Sequence, residues 1–271
     1  FLDHHRKVVY VAFGQWAVPK PSDIKLILTA LLENMETKHI DGIIWSTRGI
    51  RDLFPDMITT RSNTIYDINS FFTNPAGNSN IAFVDWAPQV AILHHPSTCL
   101  FITHGGVGSL YESMHAAVPV AVFPFFCDQP ATAVSVEDCG IGRWFKRTLR
   151  QDQATELVKD IVDDPTGKYK QNVGRFKALV QIRNARGKQR GADLVEEVMF
   201  THVDGKIEQR RDVRRDLSFF KANNLDLYSF VLVSLVTFAY GLYRLAFVLY
   251  SLAFNTVSSP RVPVDKKLKA N

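Results

Sequence analysis

Cysteine is scarce in this chain, and no internal repeat or low-complexity tract is present. Cys99, Cys127 and Cys139 are an odd number with no Cys-x-x-Cys pair, so neither a zinc site nor a disulfide framework can be read from them. They are expected to serve as small core residues. No charged, apolar, small-residue leader precedes the first strand-like run, and residue 1 is Phe1 rather than Met. The chain therefore reads as a fragment beginning mid-protein, with any upstream address lost.

What is present is ordinary globular material. At 271 residues the chain has room for about two domains. Apolar residues make up 46% and charged residues 22%, which excludes disordered, collagenous and disulfide-scaffold classes. The net charge of +5 comes from 32 Lys and Arg against 27 Asp and Glu. Much of it is local. Lys168 to Arg190 holds eight basic residues and no acidic one, and Lys266, Lys267 and Lys269 follow near the end. No nucleic-acid partner is read from that distribution.

Short β-branched or aromatic runs alternate with segments of helical period, the order of an α/β domain with parallel strands. The expected strands are Val8 to Phe13, Gly42 to Ser46, Ile81 to Asp85, Cys99 to Thr103 and Val120 to Phe123, with a weaker one at Gly142 to Phe145. Their continuous apolar character fits strands covered on both faces. Ile24, Ile27, Leu28, Leu31 and Leu32 form one helix face behind the start signal Pro21-Ser22-Asp23. Arg48 to Asn80 reads mostly as loop with one poor strand, ending in Asn74-Pro75-Ala76-Gly77-Asn78. Beyond Phe145 the pattern is helical to about Phe200, with breaks expected at Asp164-Pro165 and Gly191.

Leu227 to Tyr243 is a run of 17 uncharged residues, followed by Arg244 and a second uncharged run through Ser259. The first run spans ~26 Å as helix, just short of a ~30 Å hydrocarbon core. A snorkelling Arg244 lets the span continue, so a transmembrane helix is expected over 227–254, after an amphipathic juxtamembrane segment at 201–226 and before a basic tail at 255–271. Arg210, Arg211, Arg214, Arg215 and Lys221 precede the span, while Arg261, Lys266, Lys267 and Lys269 follow it. Charge alone gives no orientation.

The chemistry lies between Trp86 and Gln129. Trp86-Ala87-Pro88-Gln89 follows a strand, with Pro88 suited to a first helical position, and open α/β sheets bind ligands at the carboxyl ends of their strands. An indole there can stack on a nucleobase, worth ~1–3 kcal/mol. The next strand ends in Thr103-His104-Gly105-Gly106-Val107-Gly108-Ser109, a glycine-rich entry to a helix whose free N–H groups attract an anion. It is not the dinucleotide fingerprint, because Tyr111 stands where Gly or Ala is required, and it lacks the P-loop Lys. Glu112 would repel phosphate but suits the paired hydroxyls of a ribose. Asp128 and Gln129, after the following strand, offer acceptors and an amide donor to sugar hydroxyls, although Asp128 also suits a helix cap.

Together these motifs resemble the signature of the UDP-glycosyltransferases: W-x-P-Q, then H-G-G-x-x-S with His104 fifteen residues after Gln89, Glu112 eight beyond His104, A-V-P, and Asp128-Gln129 twenty-four beyond His104. Val8-Val9-Tyr10-Val11-Ala12-Phe13-Gly14 also looks like the first strand of that family's donor-binding domain. The resemblance implies a Rossmann-like parallel sheet with helices on both faces, the C-terminal domain of a GT-B fold, over 1–200. It implies that Trp86 stacks on uracil, Ala87 meets its edge through the backbone, and Gln89 and Glu112 hold the ribose. His104, Gly108 and Ser109 would face the diphosphate, and Asp128 and Gln129 the sugar. The sequence departs from the family pattern in having Gly108 for a polar residue, Ala117 for Gly, Thr132 for Asn, and Gln15 for Ser.

The C-terminus resembles the membrane-bound branch of that family, and Lys267-Leu268-Lys269-Ala270-Asn271 looks like a K-x-K-x-x endoplasmic-reticulum retrieval signal. The expected protein is single-pass in that membrane with its donor domain lumenal. The activity implied is inverting transfer of a hexosyl or hexuronosyl group from a UDP-sugar to a hydroxyl of a lipophilic acceptor. The general base, a His, would belong to an N-terminal domain absent from this chain. No Asp-x-Asp pair occurs, so neither a metal nor any other cofactor is implied. The alternatives are a noncatalytic membrane-tethered nucleotide-sugar-binding subunit and, disfavoured by the failed glycine fingerprint, a nicotinamide oxidoreductase.

Overall fold

The computed structural model describes residues 1–73, 79–207 and 212–257. Its contacts divide the chain into two units, Phe1–Gly191 and Ala192–Asn271. In chain order the elements are β1 (Val8–Ala12), α1 (Pro21–Glu36), β2 (Gly42–Ser46), β3 (Met57–Thr59), β4 (Ile65–Asp67), α2 (Ile68–Thr73), β5 (Ile81–Val84), α3 (Gln89–His94) and β6 (Thr98–Thr103). Then come α4 (Val107–Ala116), β7 (Val120–Val122), α5 (Gln129–Asp138), β8 (Gly142–Trp144), α6 (Gln151–Asp163), α7 (Lys168–Ala185), α8 (Gly187–Thr201), α9 (Phe219–Ala222) and α10 (Leu225–Val257).

Six strands form one sheet in the order β5-β2-β1-β6-β7-β8, and every neighbouring pair in it is parallel. Numbered by their own succession, these strands run 3-2-1-4-5-6, the doubly wound order, so the direction of winding reverses between β1 and β6. A crevice opens at the carboxyl edge there. The register of β1 on β6, Val11 opposite Ile102 and Ala12 opposite Thr103, sets Phe13-Gly14 beside His104 at that edge.

Side-chain alternation sorts the core onto the two faces. Val9 and Val11 point to the face covered by α1, α2 and α6. Val8, Tyr10 and Ala12 point to the face covered by α3, α4, α5 and, through Val173 and Val180, α7. The expected α1 stripe Ile24, Ile27, Leu28, Leu31 and Leu32 is wholly buried, each side chain worth ~1.5–3 kcal/mol against an exposed one. Pro21 starts that helix, and the Asp23 carboxylate accepts the Lys20 N–H at 3.0 Å.

The structure corrects several expectations. Within the stretch read mostly as loop, Arg48 to Thr73 holds more regular structure than its sequence suggests: β3 and β4 pair as an antiparallel hairpin, and α2 follows. Its strands are three residues long, too short to show a period, and the tight turn uses Asn63 at φ +63° in place of a glycine. Helix α8 runs through Gly191 without a break, and the interruption falls instead at Arg186. Pro88 caps α3 rather than opening it. Cys99 is half-buried, its thiol pushed up to about 12 chiefly by burial, whereas Cys127 and Cys139 are exposed and are not core residues.

In the second unit, α9 begins behind Ser218, whose hydroxyl accepts the Lys221 N–H. Helix α10 continues unbroken through Arg244, which donates from Nη1 to the Tyr240 hydroxyl at 3.3 Å. Its Leu225–Leu252 portion is long and apolar enough to cross a membrane. The turn at 74–78, Arg210, Arg211, Arg261, and the retrieval-like tail with Lys266, Lys267 and Lys269 lie outside the described residues.

Candidate functional site

The loops after β5, β6 and β7 at the carboxyl edge, with the helices α3, α4 and α5 that follow them, carry the sequence-predicted site residues. The loop after β5 presents Trp86, 72% exposed, while Ala87 behind it is buried in the core beside Ile92 and Leu93. Trp86, Ala87, Gln89 and Glu112 line one open groove of about 830 Å³, walled further along by His94 and His115. An exposed indole at the mouth of a groove is a stacking surface rather than core filling.

Gln89 holds this end together. Its Nε2 donates to Ser109 Oγ at 3.1 Å and to Glu112 Oε2 at 2.6 Å, and its Oε1 accepts from the Tyr10 hydroxyl at 3.4 Å. The cluster joins β1, α3 and α4. Tyr10 was not a candidate from sequence, since a tyrosine inside an apolar strand reads as core. Indeed it is buried and stacked on Phe101 at 5.1 Å. Burial, and then the nearby Glu112 charge, raise its phenol well above the usual range, so it stays a proton donor towards Gln89. With Gln89 Nε2 engaged, Glu112 Oε1 and the Ser109 hydroxyl proton are the groups left for a ligand.

Helix α4 begins behind Gly106 with no side-chain cap, so its first-turn N–H groups, those of Val107, Gly108 and Ser109, lack intrahelical acceptors and attract an anion. His104 precedes this turn. A Cβ on Gly14 would stand 2.9 Å from His104 Cε1, and one on Gly106 would collide with Nε2. Both glycines are therefore required to seat the imidazole. Burial is the larger influence on His104 and lowers its proton affinity, with Asp128 acting in the opposite sense. Gly105 sits at φ +87°, where a Cβ would meet Val122. Gly108, by contrast, has open space around it, so no steric reason excludes a side chain there.

At the end of β7, Asp128 and Gln129 part company. Asp128 is exposed and occupies the position just before α5 where a cap sits, but its side chain accepts no hydrogen bond from that helix. Gln129 is only 4% exposed, and its Oε1 accepts the N–H groups of Phe125 at 2.8 Å and Phe126 at 3.1 Å. It shapes the loop that presents Asp128. Thr132, where a polar partner would be expected, turns its hydroxyl back to the Asp128 carbonyl at 3.2 Å. The structure thus brings Trp86, Ala87, Gln89, Glu112 and Ser109 into one cluster. His104, Gly108, Asp128 and Gln129 follow along the same edge, outside the lining of the groove.

The chain is similar to known proteins in sequence and fold. A family profile described as "UDP-glucoronosyl and UDP-glucosyl transferase" matches residues 4–258. A UDP-glycosyltransferase of Talaromyces amestolkiae is 33% identical over 84% of this chain and 45% of its own length. The UDP-glycosyltransferase stmC of Aspergillus ustus is 31% identical over 90% of this chain and 48% of its own. This chain thus spans about half the length of those relatives. Among solved structures, a UDP-glucose: anthocyanidin 3-O-glucosyltransferase in complex with UDP superposes with a TM-score of 0.54 at 25% identity, covering 66% of this chain and 37% of that one. On the strength of a match over nearly its whole length, the chain belongs to the UDP-glucoronosyl and UDP-glucosyl transferase family.

Proposed function

We propose that this chain is the donor-binding half of a membrane-anchored UDP-glycosyltransferase that transfers a hexosyl or hexuronosyl group to a hydroxyl of a lipophilic acceptor. The observation that carries the reading is the Gln89–Ser109–Glu112 cluster beside exposed Trp86 at the carboxyl edge of the sheet. Uracil stacks on Trp86 and meets the backbone of Ala87, and the ribose hydroxyls donate to Glu112, which Gln89 holds in place. The Ser109 hydroxyl and the α4 N–H groups, including that of Gly108, receive the diphosphate. His104 lies at the same turn as a phosphate contact, where it can offset the charge that develops on departing UDP. Asp128 and the Gln129 amide face the sugar.

The base that deprotonates the acceptor is placed in a preceding domain, in keeping with a chain half the length of its relatives. No metal or other cofactor enters this reading. Helix α10 is the anchor, with Arg244 reaching the headgroups, and the donor domain is lumenal in the endoplasmic reticulum. Calorimetric titration of the purified chain should show UDP binding and none of NAD. Joined to its natural upstream sequence, the protein should transfer sugar from a UDP-sugar. Binding without transfer in that longer protein would favour a noncatalytic nucleotide-sugar-binding subunit.

A further inference from the structure

Beyond Glu112 the groove contains a second constellation that the nucleotide does not use. His94 closes α3 and His115 lies in the last turn of α4, and both line the groove. His94 Nε2 stands 3.0 Å from His115 Nδ1, with ring centroids 5.2 Å apart. His94 Nδ1 lies 2.8 Å from the Val90 carbonyl. A carbonyl only accepts, so this nitrogen carries the proton and Nε2 of the neutral ring presents its lone pair. That is how metal-binding imidazoles are oriented, the second ring N–H donating to a backbone carbonyl.

We infer that His94 and His115 form a two-histidine site for a divalent transition-metal ion in the donor groove. Two nitrogens at ~2.0–2.1 Å from a tetrahedral zinc ion are about 3.3 Å apart, so the rings, whose nitrogens now face each other at 3.0 Å, must part slightly and turn until both lone pairs converge on the ion. Binding requires His115 to move its proton from Nδ1 to Nε2. Both imidazoles then stay neutral, His94 Nε2 and His115 Nδ1 donate their lone pairs, and water fills the other positions. The C-terminal end of α4 favours a cation there, and the Glu112 carboxylate one turn earlier on α4 adds to the attraction. Imidazole nitrogen selects zinc, nickel or copper over magnesium.

The test is independent of the nucleotide reading, because it uses no UDP. Zinc chloride titrated calorimetrically into the untagged 271-residue chain should reveal one site, with magnesium chloride giving no heat. His94→Ala and His115→Ala should each weaken zinc at least tenfold while melting like the parent in the absence of metal. Should either variant fail to fold, NMR of the parent chain replaces it: zinc should shift the imidazole signals of His94 and His115 together. Equal zinc affinity in all three proteins, or shifts confined to other histidines, would overturn the site.

Discussion

The two ends of the proposed donor site are built differently. At the nucleoside end, Gln89, Ser109, Glu112 and Tyr10 are hydrogen-bonded to one another across three elements. At the sugar end, Asp128 is exposed, and Gln129 is spent on the backbone of its own loop. Preorganised polar groups lose little freedom on binding, so on the proposed reading nucleotide affinity belongs to the first end. The second offers the exposed Asp128 carboxylate and, with Oε1 engaged, only the amide nitrogen of Gln129, a device for discriminating among hydroxyls rather than for gripping.

The comparison breaks most readily at Trp86. Trp86→Ala should weaken UDP by ~1–3 kcal/mol, roughly 5- to 150-fold, whereas Asp128→Ala should leave UDP within about twofold and weaken the intact UDP-sugar about tenfold. Calorimetry with both ligands reads the difference, and equal loss of UDP in the two variants would erase the distinction between the ends. Next in size, Gln129→Ala strands two loop N–H groups. Thermal or urea unfolding should show a loss of ~1–3 kcal/mol, with the Asp128 loop the part that loosens.

The pH dependence of UDP binding tests the turn between the two ends. Burial holds the His104 proton affinity below its ordinary value in the free chain, and a diphosphate beside it would raise that affinity. The complex then binds more protons than the free protein, so UDP should tighten several-fold as pH falls from about 8 to 6. His104→Gln should flatten the profile. For stability the same lowered affinity acts the other way: above the unfolded-state value near 6.5 it costs nothing, and as pH falls through that value the unfolded chain gains protons first and the fold weakens. The smallest effect is expected at Ala117, which closes α4 in the left-handed region at φ +63°. Ala117→Gly should stabilise the domain by ~1 kcal/mol, read as a rise in melting temperature with UDP affinity unchanged.

All six sheet strands were legible to within a residue at either end, because buried parallel strands are short apolar runs bounded by turn residues. The sixth, β8, was the weakest, its middle residue being Arg143, bonded to Glu137 and Asp160. The β3–β4 hairpin was not legible. Three-residue strands carry no period, and its turn is held by side chains of Thr60, Ser62 and Thr64, with Thr60 and Ser62 bonded to Glu36 of α1. Within the site, the family resemblance set Trp86, Gln89, Ser109 and Glu112 along one nucleotide, but did not show that Gln89 bonds to Ser109 and Glu112. Nor could it find Tyr10 or Gly14, since an interior tyrosine and a post-strand glycine acquire meaning only when the winding reversal sets β1 beside β6. Ala117 shows the converse: the family pattern expects glycine there, and the left-handed backbone supplies the reason.

The imidazole wedged between Gly14 and Gly106 has a mechanical consequence. It is a shared hinge pin for the loops after the first and fourth strands of the sheet, so the anion-facing turn cannot shift without pushing on the segment that carries Gln15 and the outward-facing Trp16. Arrival of a diphosphate at one loop would thereby be felt at the other, and any larger residue at Gly14 should uncouple the two by evicting the ring.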